Sequence, residues 1–162
     1  VSVGTVNYAG QSADSVLQIA DLIPKDIPVL LSLEKKDKRD LYPHNWILLQ
    51  EPLEDIHSLI YYSCGLISSG DSMAREAALL GVPAYYLGIR YGMPANAAAS
   101  KVANLQNQKT IKIQDWIQKV INQKENKITI QQQVRQEINA KFIDINQYMY
   151  DLVVKEEQKC VK

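Results

Sequence analysis

The sequence predicts a doubly wound α/β domain, and three observations carry that prediction. Short runs of Leu and β-branched residues alternate with segments of helical periodicity. The runs are continuously apolar, which suits strands buried on both faces of a parallel sheet. Strand, helix, strand, repeated, is the order of βαβ units, whose crossovers are right-handed.

The strand candidates are Ile27–Leu33, Trp46–Leu49, Gly65–Ser68, Pro83–Gly88 and Lys109–Ile113, with Val1–Val3 as a clipped sixth. This gives a parallel sheet of five to six strands in a three-layer α/β/α sandwich. The first predicted helix, Ser12–Ile23, carries Val16, Leu17, Ile19, Ala20 and Ile23 at helical spacing. Pro52–Tyr62 places a proline in a first turn. Ser72–Leu80 stops at Gly81, with Pro83 just beyond. Ala95–Leu105 is Ala-rich, and Ile113–Gln123 carries Trp116, Ile117, Val120 and Ile121. From about Ile130 to Glu157, Val134, Ile138, Phe142, Ile145, Met149 and Leu152 recur every three or four residues. They predict one long amphipathic helix, bent near Asp144. Residues 1–126 are thus expected to form the sheet domain. Residues 127–162 are expected to form a helix that packs on it or on a partner.

Composition removes several function classes. A chain of 162 residues can complete one hydrophobic core. Its 18 basic and 18 acidic residues cancel, so no global field draws nucleic acid or an anionic membrane. Cys64 and Cys160 fit neither a disulfide framework nor a metal site. Cys64 reads as a small core residue and Cys160 as exposed. The expectation is a reducing, cytoplasmic protein with no signal peptide or membrane span. Val1 in place of an initiating Met predicts a processed or cut-out domain.

The chemistry concentrates in Ser69-Gly70-Asp71-Ser72, a tight turn between an apolar run and a helix. Open α/β sheets bind ligands beyond the carboxyl ends of their strands. A helix N-terminus there presents unpaired N–H groups and about half a positive charge, which suits a phosphate. Gly70 lets backbone approach a ligand. Asp71 opposes this reading, because an N-cap carboxylate satisfies the same amides and repels an anion. Glu76 lies four residues after Ser72, on the same helix face. A carboxylate there can accept both hydroxyls of a ribose, or it can pair with Arg75. His44 and His57 have no spacing that makes a triad or a metal site, and both read as structural. The charged stretch Glu34–Asp40 reads as a solvated loop.

The stretch SSGDSMAREAALLGVPAYYL resembles the nucleotide-sugar-binding segment of the GT-B superfamily. It is similar to an uncharacterised, mainly archaeal family related to UDP-N-acetylglucosamine 2-epimerases and MurG-like glycosyltransferases. Ser69-Gly70-Asp71-Ser72 fills the shared turn, Met73–Ala78 the helix and Leu80-Gly81-Val82-Pro83 the exit. The likeness covers Trp46–Leu87 well and the remainder by element order. It implies a Rossmann-like fold and a UDP-linked nucleotide-sugar ligand. It implies that Glu76 binds the ribose and that Gly70, Asp71 and Ser72 hold the diphosphate. Gln50 and Glu51 would receive the base, and Arg90 would meet the phosphates or the sugar.

The departures bound that implication. The glycine-rich loop of the MurG-like enzymes is reduced here to Gly10-Gln11-Ser12, and Asp71 stands where a small residue is usual. The length allows only the second, donor-binding domain of a two-domain enzyme. The expected function is donor binding in a metal-independent glycosyltransferase or sugar-nucleotide epimerase, with no cofactor beyond the nucleotide-sugar substrate. No catalytic residue is assigned, and the chain is expected to be inactive without an acceptor domain. The alternative is a non-enzymatic interaction module acting through its long C-terminal helix. Candidate partners are a nucleotide sugar, the missing acceptor domain or subunit, and a second copy of the chain.

Overall fold

The computed structural model describes residues 2–5, 19–33, 39–40, 42–50, 52–90 and 92–160. Six parallel strands form one sheet: β1 (Ser2–Thr5), β2 (Leu30–Leu33), β3 (Ile47–Leu48), β4 (Leu66–Ser68), β5 (Ala84–Tyr86) and β6 (Leu105–Asn107), in the spatial order β3-β2-β1-β4-β5-β6. That order is consistent with a Rossmann-like, doubly wound fold. The run at the very start of the chain forms β1, which lies in the interior of the sheet.

The helices are α1 (Ile56–Tyr62), α2 (Asp71–Leu79), α3 (Pro94–Val102), α4 (Ile113–Gln123), α5 (Lys127–Lys141) and α6 (Ile145–Cys160). Residues 19–22 are also helical, but most of the predicted Ser12–Ile23 helix lies outside the described residues. Every residue of β4 and β5 is buried, as strands covered on both faces require. Ile67 and Tyr85 point to one face, where they meet Ile19, Ile23, Leu31, Trp116, Ile117 and Val120. Tyr85 tilts against Trp116 at 5.4 Å between ring centroids, and its hydroxyl donates to the Ile111 carbonyl at 3.0 Å. Leu66, Ala84 and Tyr86 point to the other face, under Ile60, Ala74, Ala77, Ala78, Ala99 and Val134. The alanines let α2 lie close to the sheet.

Several elements differ from the sequence reading. The β-branched alternation at Lys109–Ile113 is a turn entering α4, and the strand is Leu105–Asn107. The Asn107 carbonyl accepts from the Thr110 and Ile111 amides, which reverses the chain before a strand can form. Helix α3 accordingly stops at Val102, before Leu105. The outer edge of β6 is also closed locally: the Leu105 carbonyl accepts from Ser100 Oγ and the Asn107 amide donates to Thr110 Oγ1. Helix α1 begins at Ile56 rather than at Pro52, because the Asp55 carboxylate caps it by accepting from the Ser58 amide at 2.9 Å. Within Glu34–Asp40, Arg39 is more than a solvated charge: it donates to the carbonyls of Tyr42, His44 and Trp46. Cys64 is exposed, which corrects its assignment to the core. The side chain of Cys160 lies outside the described residues.

The C-terminal segment is two helices, not one. Asp144 sets the break, since its carboxylate accepts from the Asn146 and Gln147 amides and starts α6. Helix α5 packs back over α2 and α3. Helix α6 leaves Ile145, Tyr148, Met149 and Leu152 exposed by 40 to 59%. Among the described residues, no helix is long and apolar enough to cross a membrane.

Gly81 makes the return of α5 possible. It terminates α2 in a Schellman turn: the Gly81 amide donates to Ala78 O and the Val82 amide to Ala77 O. Its φ of 77° is left-handed, and a Cβ there would sit 2.6 Å from the Gln131 Cα. Gln131 is itself buried and donates from Nε2 to the Tyr61 carbonyl at 2.9 Å. Gly81→Ala therefore combines backbone strain with overpacking. It is expected to destabilise the fold by about 2–4 kcal/mol in urea unfolding; a loss under about 0.5 kcal/mol would show that α5 does not press on this turn.

Candidate functional site

The strand order places the site before any side chain is considered. β1 pairs with β2 on one side and β4 on the other, with Gly4 opposite Ser68. Ile19 and Ile23, in the chain that follows β1, pack on one face with Ile67 and Tyr85, and α2, which follows β4, packs on the other with Leu66 and Ala84; doubly wound sheets have their crevice between two such strand ends. The turn Ser69-Gly70 follows β4 directly at this point. Ser68, buried at the end of β4, shapes it: its Oγ accepts from the Gly70 amide at 3.0 Å and donates to the Gly70 carbonyl at 3.1 Å. Sequence reasoning missed Ser68, although a Ser two residues before a Gly is a readable turn signal.

Gly70 is the N-cap of α2, and among the described residues no side chain caps that end. This corrects the expectation that Asp71 caps the helix. Asp71 is the first helical residue, and its carboxylate accepts from Arg75 Nη1 at 3.0 Å. Arg75 also donates from Nη1 to Asn96 Oδ1 at 2.8 Å and from Nη2 to Ser72 Oγ at 3.3 Å. Asn96 is buried in the first turn of α3, so Arg75 ties the entrances of two neighbouring helices together. The i, i+4 spacing of Asp71 and Arg75 was legible in the sequence.

Glu76 does not pair with Arg75. Its Oε2 lies 3.0 Å from His57 Nε2 on α1, with the two side chains 45% and 58% exposed. At that exposure the contact is worth no more than about 1 kcal/mol, so a ligand can displace it. Ser72 is exposed one turn before Glu76, and the two lie on the outer side of α2. His57 reads from the sequence as structural, with no spacing for a triad or a metal site; its contact with Glu76 spans 19 residues and depends on how α1 and α2 pack.

Arg90 is exposed just past β5, at the same end of the sheet as Ser69–Ser72. Its amide donates to Tyr86 Oη at 3.3 Å. Gly88 turns the chain over the Tyr86 ring, where any Cβ would overlap the phenol. Gln50 is exposed beyond the edge strand β3, three strand spacings from β4, or about 14 Å. Glu51 and the loop Gly10-Gln11-Ser12 lie outside the described residues. Among the described residues, no group of three His, Cys, Asp or Glu side chains could hold a metal ion. A separate groove of about 790 Å³ runs between α3, α4, α5 and the start of β6. Its walls include Lys101, Gln106, Lys119, Gln133 and Glu137, and none of the predicted site residues lines it.

Asp55, which starts the helix carrying His57, is held below the ordinary aspartate value of 3.8, first by hydrogen bonding to Ser58. A depressed folded pKa contributes stability above the unfolded value, and that stability is lost as pH falls through the folded one. Asp55→Asn is expected to flatten the acid side of the stability curve below about pH 4. Urea midpoints measured from neutral pH downward check this; equal slopes in variant and wild type would contradict it.

The chain matches no curated protein. A family model described as protein of unknown function (DUF354) matches residues 8–158, nearly the whole chain, and the chain belongs to that family.

Proposed function

We propose that this chain is the nucleotide-sugar-binding domain of a metal-independent GT-B-type glycosyltransferase or sugar-nucleotide epimerase, completed by an acceptor domain or subunit. The observation that carries the reading is the Ser69-Gly70 turn at the β1–β4 crevice, leading into an α2 N-terminus without a side-chain cap. The amides of Asp71, Ser72 and Met73 would receive the diphosphate. Glu76, released from His57, would accept the ribose hydroxyls. Arg90 would reach the phosphates or the sugar, and the backbone after β3 at Gln50 and Glu51 would receive the base. Helix amides and a guanidinium together stabilise a leaving nucleoside diphosphate without a metal ion. No residue of this chain is assigned as the catalytic base.

A second reading, a Rossmann-like interaction module, is favoured by one observation: the apolar stripe of α6 is exposed. Under the first reading the same stripe is where the acceptor domain or a second copy would dock.

Calorimetric titration with UDP, UDP-N-acetylglucosamine and GDP tests the first reading. One nucleotide is expected to bind, and Glu76→Ala is expected to weaken it about tenfold, a loss of roughly 1.4 kcal/mol. No heat with any of the three at millimolar concentration would favour the interaction module.

A further inference from the structure

The groove between α3, α4 and α5 follows from where the sheet ends. α4 leads through one short 3-10 turn, Lys124–Asn126, into α5, which packs on α2 and α3. β6 is the outermost strand, so no further strand fills the space beside it. The resulting groove of about 790 Å³ lies within the size range of ligand-binding clefts. Ala103 and Val134 give it an apolar floor. Its rim is polar, and its charge is uneven. Lys101 and Lys119 reach it from α3 and α4, and neither has a carboxylate partner among the described residues. Lys101, in the last turn of α3, also offsets the dipole of that helix. Lys119 stands within α4 and has no such duty. Glu137, on the opposite wall, is already paired with Lys141. The carboxamides of Gln106 and Gln133 line the same groove and make no side-chain hydrogen bond among the described residues.

We propose that this groove docks an extended acidic peptide segment of a partner protein. Charge complementarity selects the sign of the occupant: two unpaired ammonium groups, beside a carboxylate that is already neutralised, favour an anion. The amides select a peptide. A carboxamide carries the same donor and acceptor as a peptide group. Gln106 and Gln133 therefore match an extended backbone, while Lys101 and Lys119 take its carboxylates. The apolar floor receives the methylene stems. Strand addition is not the mode, because Ser100 Oγ and Thr110 Oγ1 already occupy the outer edge of β6 at Leu105 and Asn107. A contact of this extent belongs to the weak, transient class and weakens further with salt. The groove shares no residue with the proposed donor site, so the two readings stand or fall separately.

The test is fluorescence anisotropy of a labelled, end-capped heptapeptide that alternates Glu and Ala, with a Gln-for-Glu peptide as its neutral counterpart. Wild type is compared with Lys101→Met, Lys119→Met, Gln133→Leu and, away from the groove, Lys25→Met. All four positions are exposed, so the fold does not depend on them. The acidic peptide is expected to bind wild type at least about tenfold more tightly than the neutral one. Lys101→Met and Lys119→Met are each expected to weaken it about fivefold, and Gln133→Leu about threefold, with Lys25→Met unchanged. In spectra of the labelled protein, the amides of Ala103 and Asn104 are expected to shift on binding. No binding of the acidic peptide at millimolar concentration would overturn the proposal. So would an equal loss in Lys25→Met and Lys119→Met, which would mean general charge attraction. Full affinity in Gln133→Leu would remove the peptide assignment, since the groove would then read charge without reading the backbone.

Discussion

The crevice between the carboxyl ends of β1 and β4 is the constraint on which the rest of the molecule depends. A parallel sheet that grows outward in both directions from one strand pair must send its connections to opposite faces there. The chain spends its smallest and most polar residues at this point. Ser68 closes the strand, Gly70 opens the helix, and three alanines of α2 let that helix settle on β4 and β5.

Charge at the helix entrance is arranged by side chains of two helices. The Arg75 guanidinium, with the buried Asn96 behind it, gives the Asp71 carboxylate a partner along the helix. One turn further along, the exposed contact between Glu76 and His57 is weak enough to exchange for ligand hydroxyls. The strong contacts thus tie the entrances of two helices together, and under the proposed function the weak one is where a ligand would bind. At the far end of the same helix, Gly81 allows α5 to fold back over α2 and α3.

The α/β class, the parallel strands and the position of the turn were legible because burial on both faces leaves an unbroken apolar signature. Lys109–Ile113 misled for a physical reason: β-branched residues in a turn look like a strand until the Asn107 hydrogen bonds are known. The bend expected near Asp144 is a full break, because its carboxylate caps a new helix, and a continuous apolar period does not reveal such a cap. In the site, Ser69, Gly70, Asp71, Ser72 and Arg90 gather at one end of the sheet, as their places after β4 and β5 dictate. The contacts of His57 with Glu76 and of Arg75 with Asn96 were not legible, since both join helices whose packing no local pattern encodes. Cys64 was misjudged because an apolar run starts next to it, while the strand itself begins at Leu66.

The most direct measurement is a crystal structure of the chain grown with UDP. The account predicts diphosphate oxygens within hydrogen-bonding distance of the Asp71, Ser72 and Met73 amides, with the Asp71 carboxylate still on Arg75 and the ribose on Glu76. UDP bound instead in the groove between α3, α4 and α5, or Asp71 folded onto the α2 amides with the crevice empty, would contradict it.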